Sequence, residues 1–122
     1  MNATIDSDTR EKGRHGEDEA CEHLISIGYT IISRNYQSRH GEIDCIAKDQ
    51  DGTIVFIEVK SAFSKKFGNP FAKVNHAKQQ KIIGMARLYL AEHKLSSACS
   101  RFDVIAVTPE KIEHLKNAFI SM

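Results

Sequence analysis

The run Ile54-Val55-Phe56-Ile57-Glu58-Val59-Lys60 constrains this chain more than any other feature. A run this apolar is covered on both faces, so it reads as the central strand of a sheet. Side chains alternate across a strand, which sets Ile54, Phe56, Glu58 and Lys60 on one face. Two same-face charges at the end of a central strand call for a reason. Either Glu58 and Lys60 neutralise each other, since buried charges are usually paired, or they belong to a site.

The surrounding pattern supplies the other elements. Helix-type spacing runs over residues 9–27, with Ala20, Cys21, Leu24, Ile25 and Ile27 inward and Gly28 as the stop. Strand-like runs follow at 29–36, 42–48 and 53–60, and a fourth at 101–108. Residues 61–73 read as a long loop, and 75–93 as a second helix facing inward through Ile82, Met85, Ala86 and Tyr89. Gly84, in its middle, lowers local helix preference by ~1 kcal/mol relative to Ala. Pro109 suits the first turn of a short C-terminal helix over 110–118. The predicted order is α-β-β-β-α-β-α: an α/β mixed sheet, a meander plus a parallel crossover, with helices on both faces. Residues 1–8 read as a flexible end and 9–122 as one domain.

Register links a second carboxylate to Glu58. A three-residue turn Gln50-Asp51-Gly52, with Gly52 left-handed, pairs Asp49 with Thr53 and sets Asp44 opposite Glu58. Their Cβ atoms would then be ~5 Å apart, near enough for both carboxylates to hold one ion. Two like charges so placed repel unless a cation or a proton lies between them. A hard ion such as Mg²⁺ suits oxygen ligands, and Lys60 could orient an attacking water and offset charge in the transition state. Glu17 shares the inward face of the first helix with Ala20, Cys21 and Leu24; it either supports the cluster or favours its own helix dipole. Glu42 shares a strand face with Asp44 and is otherwise a solvated residue at the strand entrance.

Composition narrows the class. Of 122 residues, 41% are hydrophobic and 27% charged, as in ordinary globular domains. The N-terminal stretch lacks the apolar run of a secretory signal, and no segment approaches the ~20 apolar residues of a membrane span. Cys21, Cys45 and Cys99 are odd in number and unpaired in spacing, which reads as reduced thiols in the cytoplasm and not as a disulfide or zinc framework. Net charge is +1, but its distribution is uneven: lysines recur from Lys60 to Lys81 without a carboxylate, directly after the acidic stretch 42–58. That is how a metal site beside a phosphate-binding surface would look, and also how a solvated face can look. Lys65, Lys66, Lys78 and Lys81, interleaved with Phe63, Phe67 and Phe71, are candidate phosphate contacts, as are Arg14, Arg34, Arg39 and His40. Nothing here reads base edges.

These residues resemble a known family. G-E-I-D at 41–44 and V-F-I-E-V-K at 55–60 resemble the D…E-x-K core of PD-(D/E)xK nucleases, whose restriction-endonuclease-like fold has the order helix-strand-strand-strand-helix-strand. R-H-G-E-D-E-A at 14–20, G-Y-T-I-I at 28–32, R-N-Y at 34–36, K-Q-Q-K-I at 78–82 and R-F-D-V-I-A-V at 101–107 extend the match from Arg14 to Phe119. On them the chain is identified as a member of the YraN-like family of uncharacterised bacterial proteins (UPF0102), itself similar to archaeal Holliday junction resolvases. The resemblance implies metal binding by Asp44 and Glu58, catalysis by Lys60, support from Glu17 and an approach of Gln79 to the site. It implies a Mg²⁺- or Mn²⁺-dependent endonuclease hydrolysing DNA, branched or single-stranded, in repair or recombination, with a homodimer as in junction-resolving relatives. Two other readings stand beside it: a non-catalytic nucleic-acid-binding protein that keeps the fold, and an interaction protein in which the three residues form only an ionic network.

Overall fold

The apolar run becomes the middle strand of a five-stranded sheet in a computed structural model that describes residues 16–61 and 75–120. Residues 16–26 are helical (α1). They are followed by β1 (Thr30–Ser38), β2 (Gly41–Lys48), β3 (Ile54–Ser61), α2 (His76–Glu92), β4 (Ser100–Val107) and β5 (Ile112–Phe119). The strands lie in sequence order, β1-β2-β3-β4-β5. The first three form an antiparallel meander, β4 runs parallel to β3 after the α2 crossover, and β5 returns antiparallel on β4. The mixed α/β sheet and the order α-β-β-β-α-β agree with the sequence reading and with the restriction-endonuclease-like order.

Each face of β3 is covered by its own layer. Val55 and Ile57 pack with Cys45, Ala47, Ile105 and Val107 against Ala20, Cys21 and Leu24 of α1. Ile54 and Phe56 pack with Ile46, Phe102 and Val104 against Ile82, Ile83, Met85, Ala86, Tyr89 and Leu90 of α2. Gly28, at φ +90, ends α1, and the Tyr29 N–H returns to the Leu24 carbonyl at 2.9 Å. Ile25 (60% exposed) and Ile27 (36%) lie off the buried face, contrary to expectation: α1 meets the sheet along the narrower stripe of Ala20, Cys21 and Leu24. Ser61 still belongs to β3. The rest of the expected 61–73 loop, the expected flexible end 1–8 and residues 9–15 of the first helix lie outside the described residues.

The expected C-terminal helix is a strand. Thr108 and Lys111 close a turn around Pro109, with the Thr108 N–H on the Lys111 carbonyl at 3.0 Å and the Lys111 N–H on Thr108 Oγ1 at 3.2 Å. The proline thus starts a hairpin instead of a helix. Pairing with the otherwise open edge of β4 outweighs the weak helical preference of the segment.

A buried ionic network ties this edge to the rest. Asp103, fully buried on β4, accepts from Arg101 Nε (3.1 Å), the Asn117 N–H (3.0 Å) and His114 (2.7 Å). Arg101 also pairs with Asp49 beside the β2–β3 turn at 2.5 Å and donates to the Tyr29 hydroxyl. His114 reaches His23 of α1 at 3.2 Å. Asp103 is therefore a structural partner, held below the usual carboxylate range because His114, Asn117 and Arg101 together outweigh its burial. Among the described residues, no helix is long and apolar enough to cross a membrane.

Two stability changes follow. Asp103→Ala leaves Arg101 and His114 without their buried partner and should cost about 3–5 kcal/mol by denaturant unfolding. Gly84 is exposed, and a Cβ there would meet nothing within 4 Å, so Gly84→Ala should stabilise by about 1 kcal/mol in the same assay.

Candidate active site

The β2–β3 turn sets the site. The Asp49 N–H donates to the Thr53 carbonyl (3.0 Å), the Gly52 N–H to the Asp49 carbonyl (3.1 Å), and Gly52 takes φ +89. The ladder then runs Lys48↔Ile54 through Cys45↔Ile57 and ends there, with Asp44 and Glu58 the next residues in line. Beyond Cys45 the Val59 N–H is taken by Asp44 Oδ2 at 2.7 Å, a side chain standing in for a ladder partner. Ile43 and Cys45, the two neighbours of Asp44, pack into different layers, so the alternation of β2 breaks at Asp44. The Asp44 carboxyl can thereby reach acids on both sides of the sheet.

On one side it meets Glu58, 6% exposed, whose charge acts on it. Glu58 Oε1 lies 3.3 Å from Lys60 Nζ and 2.5 Å from Lys78 Nζ. On the other side, carboxylate oxygens of Glu17, Glu42 and Asp44 all lie within 4.8 Å of one another. Asn35 stands opposite Asp44, between the pairs Arg34↔Cys45 and Tyr36↔Ile43, in the left-handed region (φ 55) that asparagine tolerates. In the amide orientation that satisfies its neighbours, its nitrogen donates to Glu42 Oε1 (2.6 Å) and Glu17 Oε2 (3.1 Å).

Glu17 reaches the cluster because α1 comes very close to β3. A Cβ on Gly16 would lie 2.0 Å from Ser61 Oγ, which could turn aside, and 3.3 Å from Ser61 Cβ, so glycine suits this tight approach. α2 contributes from its first turn: Asn75 caps it by accepting the Lys78 N–H at 2.9 Å, and Lys78 reaches across to β3.

Crowding of acids shows in their protonation. Burial, then the charges of Glu58 and Glu17, push Asp44 up to about 7, against the opposing Val59 N–H. Burial and Glu42 raise Glu17. Lys60 is lowered, by burial and by Lys78 beside it. Lys78 is raised: burial opposes this, but contact with Glu58 outweighs it. Near neutral pH Asp44 is therefore poised between its neutral and charged forms beside Glu58.

Asp44, Glu58, Lys60 and Glu17 come together. Lys78, read as a surface phosphate contact, stands inside the site on Glu58. Arg39 lies at the β1–β2 turn, 3.4 Å from His40, in a depression shared with Gln37, Ser38, Gly41 and Glu42. Lys81 is exposed on α2, and Gln79 lines a separate open cavity with His76, Asn117 and Phe119. Arg34 pairs with Asp18 of α1 at 2.7 Å. Arg14, Lys65 and Lys66 lie outside the described residues. Sequence reasoning missed Asn35; it left Glu42 either on the face of Asp44 or solvated at the strand entrance, and Glu42 is both exposed and within the acidic cluster. An asparagine inside a strand is unfavourable by propensity, and that was the available signal.

Comparison with known proteins shows the family of the chain. The profile of a family described as "Uncharacterised protein family UPF0102" matches residues 16–107. A UPF0102 protein of Persephonella marina is 46% identical over 108 residues, covering 88% of this chain and 92% of the relative. Among solved structures, one titled as an EndoMS-dsDNA2 complex is 17% identical with TM-score 0.41, covering 71% of this chain and 34% of that one. A repair endonuclease from Pyrococcus abyssi is 24% identical with TM-score 0.35, covering 72% of this chain and 32% of that one. The chain thus spans about a third of the length of either.

The raised Asp44 gives a signed pH dependence. A carboxyl whose folded pKa exceeds its unfolded value near 3.8 stabilises least once pH has passed the folded value of about 7. Asp44→Asn should therefore match wild type near pH 4 and melt higher above pH 7, by on the order of 5 °C. Taking the difference between variants cancels the opposite trends of Asp103 and His23.

Proposed function

This chain belongs to the uncharacterised protein family UPF0102, and we propose that it is a cytoplasmic, metal-dependent phosphodiesterase acting on nucleic acid, DNA in the first place. The observation that carries this reading is the register that faces Asp44 with Glu58 beside Lys60: two carboxyls that need a proton or a cation between them, next to an ammonium. The donor set is oxygen only: Glu17, Glu42 and Asp44 bring carboxylate oxygens within 4.8 Å of one another, and Glu58 acts on Asp44 from beside it, a set that fits a hard divalent ion such as Mg²⁺ or Mn²⁺. Bound there, the ion would supply Lewis acidity at a phosphate oxygen and acidify water.

The chain's own groups do the rest. Asp44 and Glu58 hold the ion, and Glu17 anchors the acidic cluster from α1. Lys60, half-shielded and with its pKa lowered, holds the attacking water by hydrogen bond and offsets negative charge on the phosphoryl oxygens in the transition state. Arg39 and Lys81, with Arg14, Lys65 and Lys66, neutralise backbone phosphates, and Gln79 adds a polar contact to the nucleic acid. Because these groups address phosphates and not base edges, specificity is for the shape of the nucleic acid. Two sites in a homodimer would suit a branched substrate.

One observation favours a second reading, binding without turnover: Lys60 and Lys78 already neutralise Glu58. Cleavage of linear, flapped and four-way DNA with Mn²⁺ separates the two. Lys60→Ala should lose about 100-fold in rate while retaining DNA affinity. Equal cleavage by both proteins would remove Lys60 from the mechanism; no cleavage of any substrate by wild type, with DNA still bound, would establish the second reading.

A further inference from the structure

Among the described residues, the nearest cation to Glu58 Oε1 is not its strand neighbour Lys60 at 3.3 Å but Lys78 of α2 at 2.5 Å. Lys78 sits in the first turn of its helix, three residues after the Asn75 cap. A cation there faces the positive end of the helix dipole, and no acidic residue in that turn compensates. Local structure therefore disfavours the ammonium, and what holds it is the contact across to β3. The two lysines also differ in setting: the Lys78 side chain is 39% exposed, that of Lys60 19%. Lys78 can leave Glu58 for solvent, or for another anion, with less desolvation than Lys60 would suffer.

An ion shared by Asp44 and Glu58 needs the carboxylate oxygen on which Lys78 sits. Resting on the metal-dependent reading above, we propose that Lys78 is an exchangeable counter-cation: it occupies Glu58 when the ion is away, yields it when the ion binds, and then offers its ammonium to a nucleic-acid phosphate at the site. Lys60, the more buried of the two, stays in place. The exchange makes ion binding and phosphate binding cooperative, because each favours the state in which Lys78 has left Glu58. A lysine that merely stabilised the fold would not link them.

Mn²⁺ binding followed by electron paramagnetic resonance tests this on wild type, Lys78→Gln, Lys78→Arg and Asp44→Asn. Lys78→Gln removes the competitor and should bind Mn²⁺ about tenfold tighter. Lys78→Arg, whose guanidinium grips a carboxylate through two hydrogen bonds, should bind it more weakly than wild type. DNA affinity should rise on adding Ca²⁺ for wild type, and by clearly less for Lys78→Gln, which keeps only the ion's own contact with phosphate. Equal or weaker Mn²⁺ binding by Lys78→Gln, or a full Ca²⁺-dependent gain in its DNA affinity, overturns the exchange. Should Lys78→Gln fail to fold by circular dichroism, the arginine variant decides: Mn²⁺ binding as tight as wild type refutes it. Mn²⁺ binding unchanged by Asp44→Asn would overturn the metal site itself and the exchange with it. Binding lost in Asp44→Asn but not tightened in Lys78→Gln would overturn the exchange alone.

Discussion

Glu58 is a buried carboxylate on the central strand of the sheet, and its charge has to be answered. Three groups answer it: Asp44, pushed toward its neutral form, Lys60 from the same strand face, and Lys78 from α2. Each comes from a different part of the chain, so the site exists only when β2, β3 and α2 are assembled. The dependence also runs outward. Asp44 is drawn up by burial and by Glu58, and its carboxyl supports the Val59 N–H where the β2–β3 ladder gives out. The electrostatics of the site and the shape of the sheet at that point have one origin.

The two helices bring different chemistry to this point. α1 carries Glu17 because Gly16 lets it press against Ser61 at the end of β3. α2 carries Lys78 because Asn75 caps its first turn there. At the far side of the sheet, the network of Arg101, Asp103, His114 and His23 locks β4 and β5 to α1 and to the β2–β3 turn. That turn sets the register of Asp44, so rigidity in the structural network passes to the carboxyl pair. Rigid support of this kind is what a site relying on preorganised charge requires.

How much of this is legible in the sequence depends on whether a feature is local. Asp44 opposite Glu58 can be read because Asp51-Gly52 identifies the turn, and a turn fixes a register. The central position of β3 can be read because its apolar residues cover both faces. Strand β5 cannot, since Pro109 and its neighbours suit a helix start and only the open edge of β4 decides otherwise. Ile25 and Ile27 have inward helical spacing, yet how wide a stripe the sheet covers is a property of packing. Lys78 is half legible: a lysine in the first turn of a helix is locally unfavourable, which marks it as held by something, without saying that the partner is Glu58. Glu42 is legible as a face-mate of Asp44 two residues along the strand, whereas Asn35 is not, because it comes from the neighbouring strand through the β1–β2 register.

The account's central claim is that Asp44 and Glu58 together form a cation site. The most direct measurement is a crystal structure grown with Mn²⁺, its ions located by anomalous scattering. The claim predicts one peak within about 2.3 Å of oxygens from both Asp44 and Glu58, with Lys78 moved off Glu58. No peak at this pair under saturating Mn²⁺, or a peak held by Glu17 and Glu42 with Lys78 still on Glu58, would contradict it.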